Sequence, residues 1–166
     1  MYTIISGTNR DESNTEKIAK QYVELLRKRG VDCNYLSLKG LNVIKRDKEF
    51  DSIEKNVLIP TQKFIFISPE YNGSIPGVLK AMIDMTDIRK VWWGKKALLT
   101  GVSTGRAGNL RGMEHLTGIL NYLKIFVHPN KLPISVVDKL ISSEGVIVDK
   151  PTLQLIEMQL DEFINF

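Results

Sequence analysis

Apolar and polar positions alternate along this chain in two rhythms. The first run, Tyr2-Thr3-Ile4-Ile5-Ser6, has the short, continuous character of a strand buried on both faces. A polar loop, Gly7 to Thr15, separates it from Ile18, Tyr22, Leu25 and Leu26, which fall at i, i+4, i+7 and i+8 on one helical face. Gly30, after the cationic Arg27-Lys28-Arg29, marks the end of that helix. Val31 to Leu38 predicts a second strand. Asn42 to Asn56 is polar and weakly patterned, which predicts loop, with a short helix near Asp51 to Leu58 interrupted by Pro60. Phe64-Ile65-Phe66-Ile67 predicts a third strand, Val78 to Met85 a short helix, and Ala97 to Val102 a fourth strand. Leu110 to Leu123 carries Met113, Leu116, Leu120 and Leu123 on one helical side, and Ile125-Phe126-Val127 predicts a fifth strand. A last helix, opening at Pro151-Thr152, buries Leu153, Ile156, Leu160 and Phe163 in this pattern.

Strands alternating with helices predict a single α/β domain over residues 1–166, a parallel sheet with helices on both faces. Right-handed crossovers leave few topologies, and 2-1-3-4-5 is the common five-strand order. Ligands in such sheets sit beyond the carboxyl ends of the strands, where the winding reverses between strands 1 and 3. The loops leaving strands 1, 3 and 4 are Gly7 to Glu12, Pro69 to Ile75 and Ser103 to Gly108, the segments richest in Gly, Pro, Ser and Asn. That order places them side by side.

Composition narrows the class of protein. Apolar content of 43% and charged content of 25% suit a globular domain, and no apolar run reaches the ~18 residues of a membrane span. No signal-peptide pattern opens the chain. A single cysteine, Cys33, leaves no internal disulfide and fits a reducing compartment, so a cytoplasmic location is expected. The net charge is +4, but its basic residues are scattered and not interleaved with aromatics, which argues against nucleic acid as a partner. Two histidines and one cysteine with no ligand spacing argue against a metal. Cys33 followed six residues later by Lys39 lacks the C-x5-R of a low-molecular-weight phosphatase.

The first loop has the makings of a phosphate seat. A helix N-terminus offers free N–H groups and partial positive charge, Arg10 adds a guanidinium, and Thr8, Ser13 and Thr15 add hydroxyls. Ser13-Asn14-Thr15-Glu16 equally fits a capping box, in which Glu16 folded back competes for the same amides. On the sequence alone both readings stand. The second loop, Pro69-Glu70-Tyr71-Asn72-Gly73-Ser74, offers backbone amides, a side-chain amide and an aromatic ring to a flat heterocycle. The third, Ser103-Thr104-Gly105-Arg106-Ala107-Gly108, allows close backbone approach but lacks an ordered G-x-G-x-x-G.

At these residues the chain resembles the NADPH-dependent FMN reductase family, flavodoxin-like quinone, azo-dye and chromate reductases. The resemblance rests on G-T-x-R-x-x-S at Gly7 to Ser13, P-E-Y-N-G-S at Pro69 to Ser74 and P-G-x-L-K at Pro76 to Lys80. The Ile83-Asp84 pair and Leu110-Arg111 after the glycine loop belong to it too. It implies a flavodoxin-like three-layer sandwich with FMN as cofactor. Thr8, Arg10, Ser13 and Thr15, with Asn14 between them, would hold the phosphate. Pro69, Glu70, Tyr71, Asn72 and Gly73 would line the ring, with Ser103, Thr104, Gly105 and Gly108 on its other side. Departures are Thr8 for the family's serine, Asp11 and Glu12 beside the phosphate, and Ala81-Met82 in place of Asn-Ala.

The activity implied is oxidoreductase: FMN takes a hydride from NADPH or NADH and passes electrons to a small acceptor, by ping-pong turnover. No protein side chain serves as catalytic acid or base, because the flavin carries the chemistry. The family also implies a homodimer or homotetramer. Trp92-Trp93 is then expected to cover the flavin or a partner subunit, against packing in the core. A flavodoxin-type electron carrier is the rival reading, disfavoured by the basic charge; a non-catalytic flavin-binding module is a second.

Overall fold

The computed structural model describes residues 1–166. β1 (Tyr2–Ser6) runs through the first loop into α1 (Asn14–Lys28), whose Ile18, Tyr22 and Leu26 are wholly buried. Gly30, at φ +69°, closes α1 in a Schellman motif: Val31 N–H donates to Leu26 O at 3.1 Å and Gly30 N–H to Arg27 O at 2.9 Å. β2 (Cys33–Ser37) is shorter than its apolar run. α2 (Lys48–Ile53) starts before the expected short helix because the Asp47 carboxylate caps it, accepting from Phe50 N–H. It continues as one π-helical turn, Glu54–Leu58.

β3 (Lys63–Pro69), α3 (Gly77–Met85), a four-residue α4 (Ile88–Val91) and β4 (Lys96–Val102) follow, then α5 (Leu110–Tyr122). The strands pair in parallel in the order β2-β1-β3-β4-β5, the expected flavodoxin-like topology. Register aligns Ser6 with Ile67 and Ile67 with Thr100, so β1, β3 and β4 end level and open onto one rim. α1 and the final helix α6 (Lys150–Asn165) cover one face over a core containing Ile4, Ile65 and Leu98. α2, α3 and α5 contribute to the core on the other face, around Phe64, Phe66 and Leu99. No helix is long and apolar enough to cross a membrane.

The fifth strand departs from expectation. It is split into β5 (Phe126–Val127), beside Lys96 and Ala97, and β6 (Leu132–Ile134), beside Thr100 to Val102. Pro129, which has no N–H to give, lies in the break. The buried Gln159 side chain of α6 fills the gap. Its Nε2 donates to Leu99 O at 3.1 Å and Asn130 O at 2.9 Å, and its Oε1 accepts from the hydroxyls of Tyr22 and Thr100.

Trp92 and Trp93 also part company. Trp92 is core: fully buried, against Phe64 at 4.9 Å between ring centroids, its indole N–H donating to Thr86 Oγ1 at 2.6 Å. Trp93 is 40% exposed, with Lys124 over its ring. Both precede β4, at the end of the sheet opposite the level rim, so neither covers a ligand there.

Candidate functional site

The loops leaving β1, β3 and β4 enclose a cleft of about 620 Å³. Its first wall is the start of α1. Ser13 caps the helix, its Oγ accepting from Glu16 N–H at 3.1 Å. The second arm of a capping box is not made, because the Glu16 carboxylate pairs with Lys20 at 2.7 Å. The Ser13 N–H, which that arm would have taken, and the N–H groups of Asp11, Glu12, Asn14 and Thr15 find no acceptor within the chain. Arg10 pairs with no carboxylate, and Asp11 turns to Lys39 at 2.6 Å, which partly offsets its charge. That contact raises the Lys39 ammonium above its ordinary value. A row of free amides at a helix N-terminus beside an uncommitted guanidinium favours an anion.

The second wall is a tight turn built by Asn72-Gly73. Both residues have positive φ, +52° and +76°, and Tyr71 and Ser74 exchange backbone hydrogen bonds across them at 2.9 and 3.1 Å. This is a type I′ turn, for which Asn-Gly is the preferred pair. It leaves the N–H groups of Asn72 and Gly73 unpartnered. The turn is tied down from three directions. Tyr71 OH lies 2.6 Å from Thr8 Oγ1, and Ser74 Oγ lies 2.9 Å from His115 Nδ1 on α5. Buried Asn109 donates from Nδ2 to Ser68 O at 2.9 Å and Pro69 O at 3.0 Å.

The third wall, Ser103 to Ala107, is clamped by the segment after β6. Ser103 N–H donates to Ile134 O, Val136 N–H to Gly105 O, and Val137 N–H to Ser103 O, all within 3.1 Å. Its own N–H groups from Thr104 to Gly108 find no acceptor within the chain.

The structure thus brings Arg10, Ser13, Asn14, Thr15, Pro69, Glu70, Tyr71, Asn72, Gly73, Ser103, Thr104 and Gly105 onto one surface. Thr8 and Gly108 lie behind it. Thr8 is buried, its hydroxyl engaged by Tyr71 OH and by Arg10 N–H at 3.2 Å; Gly108 packs on Pro133. The lining also includes Val102, Arg106, Ala107 and Val137, which the sequence pattern did not single out as binding the cofactor. Val137 arrives only through the β6 segment, so no local motif marks it. The only local mark of Asn109 is a lone Asn opening an apolar-periodic helix.

A parallel sheet in this order, with an anion-favouring cleft at its switch point, defines a mononucleotide-binding α/β protein. Residues 2–139 match the family model described as NADPH-dependent FMN reductase, and the chain belongs to that family. A 2-hydroxy-1,4-benzoquinone reductase from Burkholderia sp. is 25% identical over 169 residues, covering 96% of this chain and 92% of the relative. The NADH-dependent flavin reductase subunit 2 of Lactobacillus johnsonii is 28% identical, covering 98% and 94%. Among solved structures, the flavoenzyme NAD(P)H:(acceptor) oxidoreductase FerB of Paracoccus denitrificans superposes with a TM-score of 0.82 at 20% identity, covering 99% and 94%. As a member of this family the chain is an oxidoreductase that uses FMN and a nicotinamide dinucleotide.

Proposed function

We propose that the cleft holds FMN with its phosphate against the amides of Asp11 to Thr15 and the Arg10 guanidinium. The ring system then lies between the Pro69–Gly73 turn and the Ser103–Gly105 loop. The observation that carries this reading is the row of unpartnered amides at the start of α1, with the Glu16 carboxylate drawn away to Lys20 and not folded over them. Bound FMN supplies two-electron chemistry between NAD(P)H and a small acceptor such as a quinone, an azo compound, free flavin or a metal oxyanion, by ping-pong turnover. The chain's residues bind, orient and exclude water. Asn72 and Gly73 offer amide donors to the ring edge, and the free amides from Thr104 onward place partial positive charge where the reduced ring carries negative charge. Val102 and Val137, both almost fully buried, wall off water on the inner side.

The same reading extends to assembly and location. A largely apolar groove of about 780 Å³ runs between α3 and α5, lined by Ile75, Ile83, Ile119 and Leu123, with Tyr122 80% exposed beside it. That face suits a homodimer, or the dimer unit of a homotetramer. The single free thiol, half-buried Cys33, suits the cytoplasm.

The test is an absorbance spectrum of the purified protein, taken before and after anaerobic NADPH. A flavin spectrum that bleaches and returns on adding a quinone supports the reading. A protein that binds no added FMN overturns it.

A further inference from the structure

Three contacts close a ring between the first and second loops. Tyr71 OH lies 2.6 Å from Thr8 Oγ1, Arg10 N–H donates to the same Thr8 Oγ1 at 3.2 Å, and the Arg10 guanidinium carbon sits 4.2 Å from the centre of the Tyr71 ring. The contact sets the guanidinium over the ring, and none of its N–H donors bonds another residue of the chain, so all stay free for a ligand. An Arg in such a contact is biased toward one direction while keeping the fork that grips a phosphate. Tyr71 therefore orients Arg10 without consuming any of its donors. Thr8, buried and out of contact with the cleft, links the tyrosine hydroxyl to the Arg10 backbone.

We propose that Tyr71 is a positioning residue that aims Arg10 at the phosphate of the cofactor, so that the ring-binding turn itself sets the preference for FMN over riboflavin. The inference rests on the FMN reading above and adds to it. Under that reading alone, Tyr71 only flanks the ring and contributes equally to ligands with and without a phosphate. Held by Thr8 and with its ring under the Arg10 guanidinium, it instead acts selectively on the phosphorylated ligand. Arg10 is free to respond, since it forms no ion pair that would compete.

The experiment measures FMN and riboflavin affinities by flavin-fluorescence quenching on the full chain freed of co-purified flavin. It compares wild type, Tyr71→Phe, Tyr71→Leu, Arg10→Ala and the double variant Arg10→Ala/Tyr71→Leu. Tyr71→Leu is expected to cut the FMN-to-riboflavin affinity ratio by about five- to seventyfold, the worth of one partly exposed cation–π contact plus one hydrogen bond. Tyr71→Phe keeps the ring and the apolar packing and should lose about half of that effect on a logarithmic scale. In the Arg10→Ala background, Tyr71→Leu should leave the ratio unchanged. Equal losses for FMN and riboflavin, or a ratio that still falls without Arg10, overturn the inference while leaving FMN binding intact. Wild-type protein that binds neither flavin overturns the parent reading and this one with it.

Discussion

The Glu16 carboxylate lies 2.7 Å from the Lys20 ammonium one turn further along α1, while the Ser13 hydroxyl accepts from the Glu16 amide. Half a capping box is made and half is not, and the two residues of the phosphate-loop motif separate by role. Ser13→Ala removes a helix cap and should lower stability by about 1 kcal/mol in a urea titration, with a modest effect on FMN. Arg10→Ala removes an exposed side chain with no ion pair and one contact, to the Tyr71 ring, so stability should fall by about 1 kcal/mol at most. FMN affinity should fall about ten- to a hundredfold, the worth of a charge-assisted hydrogen bond. Equal affinity losses in the two variants would mean that the Ser13 hydroxyl holds the anion as strongly as the guanidinium does, against the separation of roles.

Backbone approach at the third loop gives a second prediction. A Cβ on Gly101 would lie 2.1 Å from Gly108 O and 3.0 Å from Asn109 Cβ, so Gly101→Ala must displace backbone next to the residue that tethers the second loop. The expected loss is about 1–3 kcal/mol, with weaker FMN binding. Gly118→Ala is the matched control. It lies within α5 with no atom near its would-be Cβ and should raise stability by about 0.5–1 kcal/mol. Gly118 also lines the α3/α5 groove. A loss there that disappears on dilution would show a second copy packed against it.

These contrasts show where the sequence could be read and where it could not. The strand order was legible because Ile4-Ile5, Phe64 to Ile67 and Ala97 to Leu99 are continuous apolar runs, which only a sheet covered on both faces buries. The Asn72-Gly73 turn was legible because its backbone demands those residues. Tertiary substitutions were not. Nothing local says that Gln159, on the apolar side of α6, completes the ladder beside β4, or that Trp92 turns inward while its neighbour stays out. The two readings of Ser13 could not be separated either, since the deciding partner, Lys20, fits an ordinary i,i+4 surface pair.

Lys95 carries a pH signature. Its ammonium donates to Leu58 O at 3.1 Å and Ile59 O at 2.7 Å, and with only 6% exposure burial draws its pKa from 10.5 down to about 8. The unfolded chain keeps that proton to higher pH, so between about pH 8 and 10.5 the unfolded state binds more protons than the folded one. Stability contributed by this group therefore rises with pH across that window and is lost as pH falls through 8, by about 3 kcal/mol at most. Urea titrations of wild type and Lys95→Met at both ends of the window test this. The wild type should gain on the variant as pH rises. A constant difference between them would place the ammonium in water.

Gln159 offers the sharpest structural test, because both ends of one amide are used where the edge strand is broken. Replacing it with Leu keeps the volume but leaves Leu99 O and Asn130 O without donors, while Tyr22 and Thr100 still bond each other at 2.9 Å. One buried and one half-buried carbonyl left unpaired predict a loss of about 1–4 kcal/mol. Gln159→Glu puts a second oxygen against those carbonyls, so it should be worse than Leu at neutral pH and recover in mild acid, where a protonated carboxyl donates to one of them. The Ser103 loop hangs from β4 and β6 on either side of this gap, through Val102 and the Ile134 carbonyl. FMN affinity should therefore follow stability in both variants. Full affinity in a destabilised Gln159→Leu protein would show that the third loop keeps its shape without the amide bridge.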